Sequence, residues 1–317
     1  MTTRMTRIVP LLLAMACLPS SLTAEKAPAK AGSFADRVER FHGLRMGFQL
    51  PAHLGEKDAP RLGKGSPDEF DPARYFEIFD HVTMEPGFVL DWVYDFEFLG
   101  GEPVLYARKV GDPAFRRISE LRAAVRVEAQ LDEVDKIDEA FRKKLKEARE
   151  AEGFGESWDK VWNEWQQALA KFPRRLYQDW WKEHVRCDGT DEGFKELAAV
   201  CRLADQFALY WHACRNDTRI LADGRMLPAI AQVKPHREIF TKAKDELIPE
   251  EIREQASKLD PSPQVRREDG KVFVTFLTFS QWGGLTRRTF EISAKPPHTM
   301  KENAAKTEVH WDCGITF

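Results

Sequence analysis

This chain is short of the features that usually announce a function. After its first 24 residues it has no uncharged apolar run approaching the ~20 residues of a membrane-spanning helix. The mature protein is therefore expected to be soluble or tethered, not embedded. A surplus of positive charge is missing too: 48 Lys and Arg stand against 51 Asp and Glu, a net charge of −3. The basic doublets Arg174-Arg175, Arg266-Arg267 and Arg287-Arg288 all have acidic residues nearby. Without a positive field nothing draws in a polyanion, so nucleic acid is not an expected partner. Catalytic signatures are lacking as well. There is no Gly-x-Ser-x-Gly elbow and no His-Glu-x-x-His zinc helix, although triads are spatial and need no sequence motif. The Gly-rich turns do not sit between a strand and a helix in a βαβ unit, which argues against a dinucleotide or phosphate cradle. No cofactor is implied. Internal repeats and low-complexity domains are also absent.

What is present begins at the N-terminus. Arg4 and Arg7 precede the apolar run Ile8 to Ala16, and a Leu-Thr-Ala sequence ends at Ala24. A basic start, a short apolar run and small residues at the end form a secretory signal peptide over residues 1–24. The protein is thus expected outside the cytoplasm, periplasmic or secreted. Cleavage after Ala24 leaves 317 − 24 = 293 residues. Loss of Arg4 and Arg7 takes the charge from −3 to −5. In a second reading, Ala14-Met15-Ala16-Cys17 approximates a lipobox. Cys17 would then be acylated, and the membrane would be met only through that lipid anchor.

Cysteine is scarce but evenly numbered. Removing the signal leaves Cys187, Cys201, Cys214 and Cys313, enough for two disulfides in an oxidising compartment, with three possible connectivities. Cys201 and Cys214 fall on one expected helix, where 13 residues would hold them ~20 Å apart. A disulfide needs Cα atoms within ~7 Å, so that pair is excluded if the helix is continuous. Buried thiols are the alternative.

The remaining chain reads as one α+β domain, 34–317, after a flexible tether at 25–33. Ser66-Pro67-Asp68-Glu69 has the spacing of a capping box. Asp71-Pro72 repeats the cap-and-proline logic, with Tyr75, Phe76 and Phe79 as the apolar face of a short helix. From Phe88 to Phe98 the pattern has period two, with Phe88, Leu90, Trp92, Tyr94 and Phe96 opposite Asp91, Asp95 and Glu97. That is a half-buried strand, and with Gly100-Gly101 and Val104 to Ala107 it makes a β-hairpin over 88–110. The middle, 130–260, is helical. Asp132 to Glu152 is charged and exposed; Trp158, Val161, Trp162, Trp165, Leu169 and Phe172 form a stripe that Pro173 ends. Arg174 to Val185 continues as helix. Thr190 caps a helix from Asp191 to Ala213, apolar on two sides and therefore central. A last helix runs from Pro249 to Leu259. Asp269-Gly270 marks a type I′ hairpin and opens a β meander over 264–317. The expected architecture is one antiparallel sheet, built from the N- and C-terminal strand regions, packed against a central helical layer.

Three constellations bear on chemistry. Alternate residues of a strand lie ~6.7 Å apart, so Asp95 and Glu97 have the spacing of a glycosidase carboxylate pair; a solvated strand face has it too. His184, Cys187, His212 and Cys214 form a loose zinc-like set, though neither spacing is a zinc pattern and disulfides would forbid it, so no metal is expected. Most of the nine tryptophans lie on apolar stripes and are expected in the core. Trp282, between Gln281 and Gly283, is the exception, a candidate for stacking on a ligand. The leading expectation is an exported envelope or secreted protein that binds an unidentified ligand or envelope partner without catalysis. The alternative is an extracytoplasmic hydrolase acting on glycans through Asp95 and Glu97.

Overall fold

The computed structural model describes residues 32–63, 71–97, 100–124, 128–153, 155–169, 180–207, 210–211, 218–227, 250–280 and 283–311. The signal segment, Cys17, Ser66 to Glu69, His212, Cys214, Trp282 and Cys313 lie outside them. Residues for which the sequence reading offered no element, Phe34–Met46, form α1. Ser33 caps it: its hydroxyl accepts from the Asp36 N–H, and the Asp36 carboxylate accepts from the Ser33 N–H at 2.8 Å, a reciprocal arrangement that satisfies two orphan donors. Phe34, Ala35, Val38 and Phe41 are buried along one side. The cap-and-proline expectation at Asp71-Pro72 is met by α2 (Pro72–Phe76), where the Asp71 carboxylate accepts from the Ala73 N–H at 2.9 Å.

A strand β1 (Val82–Met84) precedes the expected hairpin of β2 (Phe88–Glu97) and β3 (Gly100–Lys109), whose register sets Trp92 opposite Leu105. Trp92, Tyr94, Leu105 and Ala107 face the main core. The opposite face is not solvated as expected. Val93, Val104 and Tyr106 are buried there against Ile118 and Leu121 of α3 (Ile118–Ala124), forming a second small core. Asp91 is 4% exposed and is clamped by Arg61 and by Arg108, whose Nε lies 2.7 Å away. The period-two pattern was right, but the cover comes from distant chain segments that a strand's own alternation cannot reveal.

Next, α4 (Glu128–Glu152) and α5 (Glu156–Leu169) pack on each other as a helical hairpin, with Gly153 at φ +72° ending α4. Trp180–His184 is a 3₁₀ turn, and Val185–Cys187 is a strand, β4, paired antiparallel with β1. Of the helix expected from Arg174 to Val185, residues 174–179 lie outside the described residues; the remainder is this 3₁₀ turn and, at Val185, the start of a strand to which β1 supplies hydrogen bonds. Thr190 caps α6 (Asp191–Leu203) as expected, accepting from the Gly193 N–H at 3.0 Å. Phe194, Leu197, Ala198, Ala199, Val200, Cys201 and Leu203 are all buried, so this helix is indeed central. It ends earlier than expected: a 3₁₀ turn covers Ala204–Gln206, and β5 (Tyr210–Trp211) then pairs with the start of β3.

Beyond β6 (Arg219–Leu221) and α7 (Glu250–Ser257), the meander comprises β7 (Gln264–Glu268), β8 (Lys271–Ser280), β9 (Gly284–Ser293) and β10 (Met300–Val309). β9 flanks one edge of β8 with β10 outside it, while β7 and β6 share the other edge end to end. Val272, Val274 and Phe276 face the main core beneath α1 and α6, and Phe34 stacks on Phe276 at 5.7 Å. Leu277, Phe279 and Leu285 face the other way and pack with Ala256 of α7. The α+β class holds. Among the described residues the strands are divided among three antiparallel sheets (β1-β4, β2-β3-β5 and the five-stranded meander sheet), where one shared sheet was expected. No helix among the described residues is long and apolar enough to cross a membrane.

Candidate functional site: the polar cluster at the start of α6

Chemistry-bearing side chains converge where β4 turns into α6. Asp188 follows β4 directly, and its Oδ1 accepts from the Thr190 N–H at 2.9 Å and the Thr190 hydroxyl at 2.6 Å. Thr190 in turn caps α6, so one carboxylate organises the whole connection. A Cβ on Gly193 would lie 2.3 Å from Asp188 Oδ1, so glycine is required there by the approach of that oxygen. Asp188 Oδ2 sits 2.6 Å from His81 Nδ1. That bond raises the His81 pKa against the opposing effect of burial. Burial also disfavours ionised Asp188, but hydrogen bonds from Thr190 and His81 outweigh it and hold its pKa below the usual carboxylate range.

Beneath this lies a buried ion pair. Glu196 is 0% and Arg37 5% exposed, with Arg37 Nε 2.5 Å from Glu196 Oε1. The second Glu196 oxygen accepts from the His81 backbone N–H at 2.7 Å. Burial pushes the Glu196 pKa up, with the His81 N–H and Arg37 pulling the other way. Arg37 also donates to the Gly32 carbonyl at 2.5 Å and has Asp80 and Glu192 at 3.7 and 3.8 Å.

On the other side of the connection, Cys187 Sγ lies 3.7 Å from His298 Nε2. His298 is 5% exposed, and its Nδ1 is 2.9 Å from the Ser293 carbonyl oxygen. A carbonyl can only accept, so Nδ1 carries the proton and Nε2 presents a lone pair to the thiol. The loop holding His298 is braced by Ser293, whose hydroxyl lies 2.9 and 2.8 Å from the Lys295 and Pro297 carbonyl oxygens and accepts from the Thr299 N–H at 3.1 Å. Phe194 packs edge-on against the imidazole at 5.7 Å. Burial raises the Cys187 pKa, so its resting form is the thiol.

The sequence candidates are mostly dispersed. Asp95 is ion-paired with Arg122 at 3.0 Å, while the side chain of Glu97 lies outside the described residues, as does Trp282. His184 turns to Glu85 at 3.1 Å and stacks on Phe88 at 3.9 Å, whereas Cys187 turns to His298. His212 and Cys214 lie outside the described residues. Among the described residues no group of three or more His, Cys, Asp or Glu side chains is arranged to hold a metal. Cys187 is a half-buried free thiol and Cys201 is buried on α6. Because α6 stops at Leu203, the helical spacing that ruled out a Cys201–Cys214 bridge no longer applies. The tryptophan stripe of α5 is also not core as expected: Trp162 is 37% exposed, and no described side chain of α5 is fully buried. Sequence reasoning missed His81, Glu196, Arg37 and His298. The Asp188-Gly-Thr-Asp cap was a local signal for the turn, but nothing local tied those four residues to it. Comparison with models of protein families, with characterised proteins and with solved structures finds no match to this chain.

Proposed function

We propose that this is an exported, non-catalytic binding protein whose recognition element is the α4–α5 helical hairpin, and that its partner there is a second copy of the chain. Export is supported by the pattern of Arg4, Arg7, Ile8 to Ala16 and Ala24. The observation that carries the binding reading is the aromatic ladder on α5. Trp158 stacks on Trp162 at 5.2 Å and Trp162 meets Trp165 at 4.7 Å, yet α4 covers them only in part. Exposed aromatic surface is what interfaces concentrate.

Charge selects the partner. The first half of α4 carries Glu128, Asp132, Glu133, Asp135, Asp138 and Glu139 against Lys136, and the second half carries Arg142, Lys143, Lys144, Lys146 and Arg149 against Glu147, Glu150 and Glu152, so the halves are net acidic and net basic. Glu133, Asp135, Glu139, Arg142 and Lys143 are all exposed. Over the ~37 Å of α4, a net acidic first half and a net basic second half match a second copy laid antiparallel. A two-fold axis would set each acidic half on a basic half, with the tryptophans beside the seam.

Sedimentation velocity on the mature protein tests this. A dimer at micromolar concentration is expected, weakened both by Glu133→Lys with Asp135→Lys and by Arg142→Glu with Lys143→Glu. Mixing those two variants should restore it, because each then meets its complement. A wild-type monomer throughout, or a mixture no tighter than either variant, overturns the reading.

A further inference from the structure

We propose that Cys187 is a nucleophilic thiol that accepts small-molecule disulfides, with His298 as its base. The inference is independent of the helical hairpin. A cysteine alone would carry nothing, but here three groups form a directed line: the Ser293 carbonyl fixes the Nδ1 proton, Nε2 faces Sγ at 3.7 Å, and the thiol is half-buried, not sealed. A nucleophile, a base and an orienter of that base are the elements of an assisted thiol. Two features hold them in register. Arg267 donates to the Gly189 carbonyl at 2.8 Å, pinning the turn after Cys187, and the Ser293 hydroxyl braces the loop that carries His298.

The substrate class follows from what such a pair can and cannot do. Acyl transfer creates an oxyanion and needs donors aimed at it. Attack on a disulfide releases a thiolate, a stable anion that needs no such hole. In the step, the Sγ–H proton passes to His298 Nε2 while the sulfur lone pair attacks one sulfur of the disulfide. A new S–S bond forms and the old one breaks. The departing sulfur takes the bonding electrons and then a proton, leaving Cys187 in a mixed disulfide and one thiol released. The disulfide is the only oxidant required, and an exported protein works where disulfides persist.

Oxidised glutathione is the probe, added to the mature protein purified without reductant, with the adduct located by peptide mass. Cys187 should be modified in the native state, and faster than the same residue in the guanidinium-unfolded chain at the same pH. In His298→Asn, whose amide can still donate to the Ser293 carbonyl but offers no base, the rate should fall at least ~tenfold with the circular dichroism unchanged. Three results overturn the proposal: a Cys187 that reacts only after unfolding, one already bridged to another cysteine of the chain, or an equal rate in folded His298→Asn. If that variant does not fold, the comparison of native with unfolded wild type decides alone, and a slower native rate refutes the base.

Discussion

His42 on α1 should make the protein acid-sensitive in a pH range where carboxylates do not yet titrate. Its Nε2 is buried without a hydrogen-bond partner among the described residues. Burial, with Arg219 and Arg45 adding repulsion against a hydrogen bond to the Ile220 backbone, drives its pKa from the ordinary 6.5 to about 3. The native state therefore keeps this ring neutral, while the unfolded chain protonates it below its ordinary value. The unfolded state binds more protons throughout that interval, so stability falls as pH drops through the ordinary value and continues to fall toward the folded one. At ~1.4 kcal/mol per unit, the loss relative to neutral pH is ~2 kcal/mol at pH 5 and ~2.5 kcal/mol at pH 4.5, a large fraction of a typical ~5–15 kcal/mol total. The variant His42→Gln retains an amide donor for Ile220 but cannot titrate. Urea unfolding of both proteins from pH 7 to pH 4.5 should show the wild type losing its relative stability by these amounts. Carboxylates held low, such as Asp36, Glu291 and Glu308, contribute equally to both proteins and cancel in the difference. A difference that stays flat over that range refutes the buried neutral imidazole.

The Arg37–Glu196 pair should behave as a coupled unit: Glu196→Leu removes the nearest carboxylate from a buried guanidinium, leaving it Asp80 and Glu192 at 3.7 and 3.8 Å, and is expected to cost up to ~3 kcal/mol, whereas adding Arg37→Met should recover much of it. Additive losses in a double-mutant cycle of denaturant midpoints would mean that the pair is not coupled. Gly193→Ala should reverse its helix-propensity sign, because the ~1 kcal/mol gain of alanine in a helix is overridden by the 2.3 Å approach of Asp188 Oδ1; a raised melting temperature would contradict this. Asp91→Asn should cost ~1–3 kcal/mol, since Arg61 and Arg108 lose their counter-charge in a partly solvated site. A change in denaturant midpoint equivalent to less than ~0.5 kcal/mol would place that clamp among the inert surface pairs.

The elements that were legible share one property: their determinants lie within a few residues. The Asp269-Gly270 turn needs positive φ at both positions, and they adopt +47° and +75°, which is why the dipeptide announced β7 and β8 so clearly. Asp71-Pro72 and Thr190 are equally local caps. The misreadings have non-local causes. The last strand of the meander, β10, starts at Met300 with no apolar alternation to announce it, since Lys301 to Thr307 are exposed. That stretch is held as an outer strand by backbone pairing to β9, with register shifts at Glu302/Ala304 and Thr307/Val309. The same reason hides the candidate site. Cys187 and His298 are 111 residues apart and His81 and Glu196 are 115 apart, so no spacing in the chain encodes either meeting.

The contrast between α5 and α6 explains why one apolar helix became core and the other an outward face. Both carry strong stripes, but the other side of α6 is apolar too, with Val200 and Leu203, and it has sheet, α1 and the β1–β4 pair to fill. The other side of α5 is Asp159, Lys160 and Asn163, all exposed, so its stripe serves one partner. That partner, α4, offers Val134, Ile137, Phe141, Leu145 and Ala148, of which only Ala148 is fully buried. Trp165 is tied across the seam, its Nε1 donating to Asp138 at 2.7 Å, while Trp162 stays 37% exposed. That exposure leaves a surface whose aromatic and charged parts respond oppositely to salt. If the charge halves of α4 dominate self-association, raising ionic strength should weaken the dimer within a Debye length of ~8 Å. If the tryptophans dominate, salt should leave it unchanged or tighten it, and Trp162→Ala should dissociate it more than either charge reversal.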